Sequence, residues 1–445
     1  MIKTKKQDVY ARSRCLYIAE AALEYFISLL VTGAYLAKIT SAIGMSDMLT
    51  GILTSFVSLG FGFQIIAIFL ANKRPVKRWV TLLHCLNQVA FALIYFIPLV
   101  NLSHEMKIFL FIAFLLTGHI LNNVVNSPKT NWFMSLVEDK RRGTFTANKE
   151  MVSLIGGMIF SFLTGNVIDR MEETGNINGA YIVCGVSIFI LMLLHTLTLI
   201  FSKEKPVEET ETCSVKQLLK DLLTDKNLFK VILVSVLWSV VNYASTPFYG
   251  SYQIKELGFT MTFVSVLSAA YAVVRTIFSK PIGKFADKYS FAKMLNICFS
   301  VALLGFIVNI FTVPGNGKIL YTVYYMLYAI AMAGINSATI NLIYDYVDKE
   351  KRTGALALQS TFCGFNGFFT TLLVSPLVAH IQRNGNQFLG VHIYAQQLLS
   401  LLSAVLLIVL IVYLNTVIKR LKSGPCANLL AQGLRRKNKS EKILK

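Results

Sequence analysis

Twelve apolar runs, each of about 20 residues or longer, divide this sequence and limit its fold more than any other feature. They lie near 15–39, 47–71, 79–100, 107–135, 145–169 and 178–201, then near 229–253, 261–282, 291–312, 318–345, 355–381 and 392–418. A helix needs about 20 mostly apolar residues to cross the hydrocarbon layer of a bilayer. Backbone groups in lipid must be satisfied internally, which leaves helices or closed barrels. No ten-residue alternation of polar and apolar positions marks barrel strands, so an all-α membrane protein with twelve transmembrane helices is expected. Composition agrees: 55% of residues are hydrophobic and 15% charged, against about 25% charged in soluble domains.

The formal net charge of +20 sits in short clusters between the apolar runs, which argues against a nucleic-acid partner. Twelve spans place both termini on one side. If that side is cytoplasmic, the inner segments hold 34 of the 43 basic residues, the asymmetry that orients helical membrane proteins. Outer loops and their flanks hold six (Lys38, Lys107, Arg170, Lys255, Lys318 and Arg383), and Lys129, Lys149 and Arg275 fall within spans. The basic start followed by an apolar stretch is not a signal peptide, because the stretch is too long and carries Glu20 and Glu24. The expectation is a multi-pass plasma-membrane protein with both termini in the cytoplasm, surrounded by lipid and monomeric. Its Lys- and Asn-rich composition, without a eukaryotic targeting signal, points to bacteria. Seven scattered cysteines, none in a CxxC pair, give no disulfide framework or metal site.

The one long polar break predicts the domain organisation: a six-helix half over 1–201, a linker over 202–228, a second half over 229–420 and a basic tail over 421–445. Within the linker, Val215, Leu218, Leu219, Leu222 and Leu223 recur at helical spacing, which predicts an amphipathic surface helix. The two halves repeat each other. Asn126 and Ser127 recur as Asn336 and Ser337, Asn131 as Asn341, Val137 as Val347 and Arg142 as Arg352, all 210 residues apart. After one inserted residue, Gly143 matches Gly354 and Gly156 matches Gly367. Repeated halves place a cavity at their interface near the membrane midplane, and rocking of one half on the other gives alternating access.

With twelve spans, a central break and an internal repeat, the chain resembles the major facilitator superfamily over nearly its whole length. The sharpest local sign is Gly283-Lys284-Phe285-Ala286-Asp287-Lys288, with Lys293 beyond, between the eighth and ninth spans. It is similar to that superfamily's cytoplasmic loop motif, in which glycine permits a tight turn and the acid accepts from backbone N–H groups or a basic residue. The resemblance implies that Asp287 and Arg352 form part of a cytoplasmic latch, with Arg142 at the equivalent place in the first half. The first-half loop departs from the pattern, with Asn72 in place of the acid and Ile68 in place of the glycine.

Ionisable residues within spans are costly, at about 2.5–3.5 kcal/mol for Asp, Lys or Arg at a helix centre, and so are functional candidates. Glu20 and Glu24 share a face one turn apart on the first span. Two close carboxylates in a poorly solvated site resist double ionisation, so this pair is a candidate proton-coupling site. The competing reading pairs them permanently with Lys129 or Lys149. On the fourth span Asn122, Asn126 and Lys129 share a face; the tenth offers Asn336 and Asn341, and the seventh Asn242. These are candidate cavity residues for a polar or zwitterionic solute; the alternative is inter-helix hydrogen bonding within the bundle. Glu150 and Arg275 are a candidate gating pair, or a static one.

His84 and His119 stand isolated in sequence, so no metal is expected, and no cofactor motif is present. Absence of a GxxxxGK[ST] loop argues against ATP drive within the chain, and no catalytic Ser/His/Asp set or HExxH appears. The sequence therefore predicts a secondary transporter of a small solute, proton-coupled, and not an enzyme. Efflux of amphipathic compounds, or lipid translocation or sensing, are the alternatives.

Overall fold

A computed structural model describes residues 8–66, 75–138, 142–205, 225–347 and 352–421. The expected linker helix over 214–226 falls almost wholly outside those residues, as do the tail and most of the first-half loop. Among the described residues ten helices are long and apolar enough to cross a membrane, a bent pair can make an eleventh, and the shorter Lys77–Leu93 stands where the third crossing is expected. The first is a broken pair, Ala11–Leu30 and Gly33–Ala42, bent by 43°. Asp47–Ile65 forms the second, and Lys77–Leu93 with a short turn at Ile97–Leu99 forms the third. His104–Ser135, Arg142–Glu173 and Ile177–Phe201 complete the first half. The second half comprises Lys226–Glu256, Met261–Lys288, Phe291–Ile310, Gly317–Tyr346, Arg352–Arg383 and Ala395–Thr416.

Small polar residues in the connections start these helices by giving their side-chain oxygens to the first free N–H groups. Ser46 accepts from Leu49, Ser103 from Met106, Thr260 from Phe263 and Ser290 from Lys293. Between such caps the helices bury one stripe and expose large apolar side chains on the other. Leu82, Phe109, Leu373 and Val412 are among the exposed ones, a pattern suited to lipid and unsuited to water.

Packing obeys a two-fold pseudo-symmetry. The first span lies against the fifth and sixth, as the seventh lies against the eleventh and twelfth; the third lies against the fourth and sixth, as the ninth lies against the tenth and twelfth. Between halves, the second packs on the eleventh and the fifth on the eighth. We call the end bearing the chain termini proximal and the other end distal. At the distal end the first and seventh spans both lose regular α geometry, the first at its bend and the seventh in a π-turn over Tyr252–Glu256. Gly33, with φ of +56°, sits in the bend. A Cβ on Gly250 would lie 2.6 Å from the Gly33 carbonyl oxygen, so the two spans approach through glycine backbone.

The predicted loop motif is not a loop. Gly283, Asp287 and Lys288 all belong to the eighth helix, which runs on to Lys288 before Ser290 caps the ninth. Gly283 has no left-handed φ, and a Cβ there meets open space, so it makes no tight turn. Lys288 lies 5.3 Å from the Tyr289 ring. The side chains of Asp287, Arg352 and Arg142 lie outside the described residues.

Candidate functional site

Two polar regions occupy the interior, one inside the first half and one between the halves. The first is built on Glu20, whose side chain is fully buried on the first span. Lys129 Nζ lies 2.8 Å from Glu20 Oε1 and also bonds the Glu24 carboxylate. His195 Nε2, from the sixth span, lies 2.9 Å from the same Glu20 oxygen. His84, from the third span, stands 3.9 Å from Glu24 and 4.9 Å, ring to ring, from His195. Lys129, His84 and His195 are buried, whereas 24% of the Glu24 side chain is exposed, giving the cluster one accessible edge.

His84 is therefore not isolated. Three spans bring Glu20, Glu24, His84 and His195 together, with ligand atoms all within 4.8 Å of one another. That spacing suits a cation, and the Lys129 ammonium fills the role. The sequence reading missed His195 because no spacing rule links positions 84 and 195. Lys149 does not join the cluster: it lies 5.2 Å from the Tyr17 ring.

The polar face of the fourth span is spent within its own half. Asn122 accepts from Asn87 Nδ2 at 3.0 Å, and Asn126 is half-buried nearby. Neither lines a cavity between the halves, and the fourth and tenth spans do not face each other across one, which corrects the expectation for Asn122, Asn126 and Lys129. Hydropathy fixes where a helix crosses but not which way its polar stripe turns. Asn341 donates to the Ser337 carbonyl one turn back on its own helix. Asn242 and Asn336 do line a space, of about 310 Å³, between the second, seventh, tenth and eleventh spans.

The central cavity, about 400 Å³, is walled by the first and fifth spans on one side and the seventh, eighth and tenth on the other. Eight tyrosines line it: Tyr25, Tyr35, Tyr249, Tyr271, Tyr321, Tyr324, Tyr325 and Tyr328. Four of them recur along the tenth span at i, i+3, i+4 and i+7, one continuous helical stripe. Tyr271 and Arg275 are one turn apart on the eighth span and both face the cavity. Tyr328 donates to Asn242, linking the central cavity to the smaller space. Arg275 makes no ion pair with Glu150 or with any other described residue, which corrects the proposed gating pair; Glu150 is exposed.

Among the described residues, a group of hydrogen bonds and one ion pair join the halves at mid-height and at the distal end. Lys255 Nζ is 2.5 Å from Asp47 Oδ1, and Gln382 donates to Asp47 Oδ2 at 2.6 Å. Asp169 accepts from the Met261 and Thr262 amides at 2.9 and 2.7 Å, closing the fifth span onto the eighth. Ser265 Oγ donates to the Ser161 carbonyl at 2.9 Å, with the Tyr35 hydroxyl alongside. At mid-height Ser58 donates to the Gly364 carbonyl. The distal end is thus sealed by contacts between the halves.

No curated protein sequence matches this chain. Among solved structures it is similar to the nucleoside transporter NupG, with a TM-score of 0.66 and 16% identity over 92% of this chain and 99% of that one. A bacterial homolog of the human lysosomal transporter Spinster, inward-facing and unoccupied, gives 0.66 and 14% over 92% and 97%. A D-xylose-proton symporter gives 0.65 and 15% over 89% and 97%. The family model of the Major Facilitator Superfamily matches residues 21–371. With its helices in two pseudo-symmetric bundles about a central cavity, the chain is a multi-pass secondary transporter, not an enzyme, and belongs to the Major Facilitator Superfamily.

Proposed function

We propose that this chain carries a small polar solute across the plasma membrane of a bacterium by alternating access coupled to protons, with both termini in the cytoplasm. The observation that carries this reading is the central cavity, shared by both halves and sealed distally by Asp47, Lys255, Gln382 and Asp169. The distribution of Lys and Arg supports a cytoplasmic proximal end, and the distal contacts would then close the cavity on its outer side. Rocking of the halves would exchange the distal contacts for proximal ones, including those the resemblance assigns to Asp287 and Arg352.

The cluster of Glu20, Glu24, Lys129, His84 and His195 is the proton-coupling candidate. Intramembrane ionisable groups are costly and commonly form proton relays, and Glu24 leaves this one partly exposed. Lys129 is a switchable partner: a proton arriving on a carboxylate weakens its hold on the ammonium and changes the packing of the first span on the fourth. A drug-efflux reading for amphipathic cations is less well supported, because no Asp or Glu lines the central cavity among the described residues.

The test is side-specific labelling of Ser268→Cys in a cysteine-free chain reconstituted in vesicles, using a membrane-impermeant maleimide. Reaction from the proximal side at rest, shifting to the distal side under an imposed pH gradient, is the expected result, with the shift lost in Glu24→Gln. Reactivity from one side only, whatever the gradient, would overturn alternating access here; a gradient-independent shift would overturn proton coupling alone.

A further inference from the structure

The geometry points to a ring-bearing organic anion, a carboxylate or phosphate monoester, as the solute held in the central cavity by Arg275. This rests on the transport reading above and names the class of its substrate. Arg275 lies about halfway along Met261–Lys288, where its charge is costly in a bilayer. Guanidinium groups within a span are usually matched by a carboxylate, yet the partly buried Arg275 has no ion-pair partner among the described residues, and no described Asp or Glu lines the cavity. Lys129, the other mid-membrane cation, is already matched by Glu20 and Glu24. An uncompensated arginine in a cavity is a site awaiting an anion, and its planar fork fits carboxylate or phosphate with two parallel hydrogen bonds.

The remaining walls define the rest of the ligand. Tyr25 and Tyr271 stand beside the guanidinium and can add phenolic donors to a bound anion. The Tyr271 and Tyr325 rings are 4.9 Å apart and tilted by 35°, forming an aromatic wall on which a planar ring can lie. Gln253, which donates to Tyr321 at 2.7 Å, supplies an amide at the distal end. Tyrosine faces also attract cations, but here the fixed positive charge of Arg275 decides the sign. At about 400 Å³ the space falls within the ordinary range for small-molecule sites, about 300–1,000 Å³.

The experiment measures ligand-induced thermal stabilisation of the purified full-length chain. Probes are 4-hydroxyphenylacetate and phenyl phosphate, their neutral counterparts 4-hydroxyphenylacetamide and phenol, the cation tyramine, and dioleoyl phosphatidylglycerol as an anionic lipid. Ligands that bind only the folded state raise its melting temperature with concentration. Either small anion should stabilise the protein while the neutral and cationic probes do not. Arg275→Gln should weaken the anion effect about 10- to 100-fold, the value of a hydrogen-bonded charge, and Arg275→Lys should retain part of it. Stabilisation by tyramine or the neutral probes to the same degree, by the lipid alone, or by none of the probes would overturn the anion assignment. So would an anion effect unchanged in Arg275→Gln. The labelling of Ser268→Cys described above is independent of ligand, so failure of the solute class and failure of alternating access are read separately.

Discussion

Lys129 of the fourth span meets Glu20 of the first at 2.8 Å, with both side chains almost completely buried. The contact holds together two helices of one half, not the two halves.

Removing the ammonium should therefore damage stability before it damages specificity. Breaking a buried ion pair from one side costs about 3–5 kcal/mol, because the charge left behind is uncompensated. Lys129→Met should lower the melting temperature sharply, and adding Glu20→Gln and Glu24→Gln should recover most of the loss. A lone Lys129→Met variant as stable as the parent would show that the pair contributes nothing.

The Asp47–Lys255 bridge, 2.5 Å long, joins the second span to the seventh at the distal end, with Gln382 of the eleventh on the other carboxylate oxygen. Asp47→Asn should favour distal opening by about 1–2 kcal/mol, a factor of about 5–30 in population. Labelling of Tyr249→Cys from the distal side should rise accordingly. Exchanging the charges with Asp47→Lys and Lys255→Asp should return it towards the parent level; equal labelling in all three would exclude a gating role.

Asp169 caps the eighth helix from the fifth, accepting from two backbone amides that the helix itself leaves unpaired. A lost cap costs about 0.5–2 kcal/mol. Hydrogen exchange at residues 261–264 should quicken by roughly 2- to 30-fold in Asp169→Ala. Unchanged protection would mean that other groups hold this end.

Two glycines should respond in opposite ways. A Cβ on Gly364 would lie 2.3 Å from the Gly62 backbone nitrogen, a clash no rotamer relieves. Gly364→Leu should abolish packing of the second span on the eleventh, seen as loss of monodisperse protein. Gly283 is helical with open space around it, so Gly283→Ala should be neutral or stabilising by about 0.5–1 kcal/mol. Marked destabilisation by Gly283→Ala would restore the turn expected from sequence.

Some of the site could be read in the sequence. Glu20 and Glu24 were recognisable because charge in an apolar run is costly wherever the helix turns, and Lys129 for the same reason. Asn242 and Asn336 were found by polarity alone and do line a space between spans. The tyrosine stripe at 321, 324, 325 and 328 was visible as a periodicity, but tyrosine is common at lipid interfaces and in cores, so its spacing did not single it out. His195 carried only the signal of a lone histidine in the sixth apolar run, with nothing to tie it to His84 or Glu20, and the motif at 283–288 suggested a turn where helix continues.

The amino-acid sequence by itself determined the number of crossings, the side on which the basic residues fall and the relation between the halves. Each depends on totals along the chain: apolar length, charge per loop and a repeat at fixed offset. Only the tertiary structure decided which cation is matched and which is left facing the cavity. That choice depends on the rotation of each helix about its own axis and on neighbours up to 175 residues away, as for Glu20 and His195. Hydropathy is blind to rotation, whereas close packing in three dimensions fixes it.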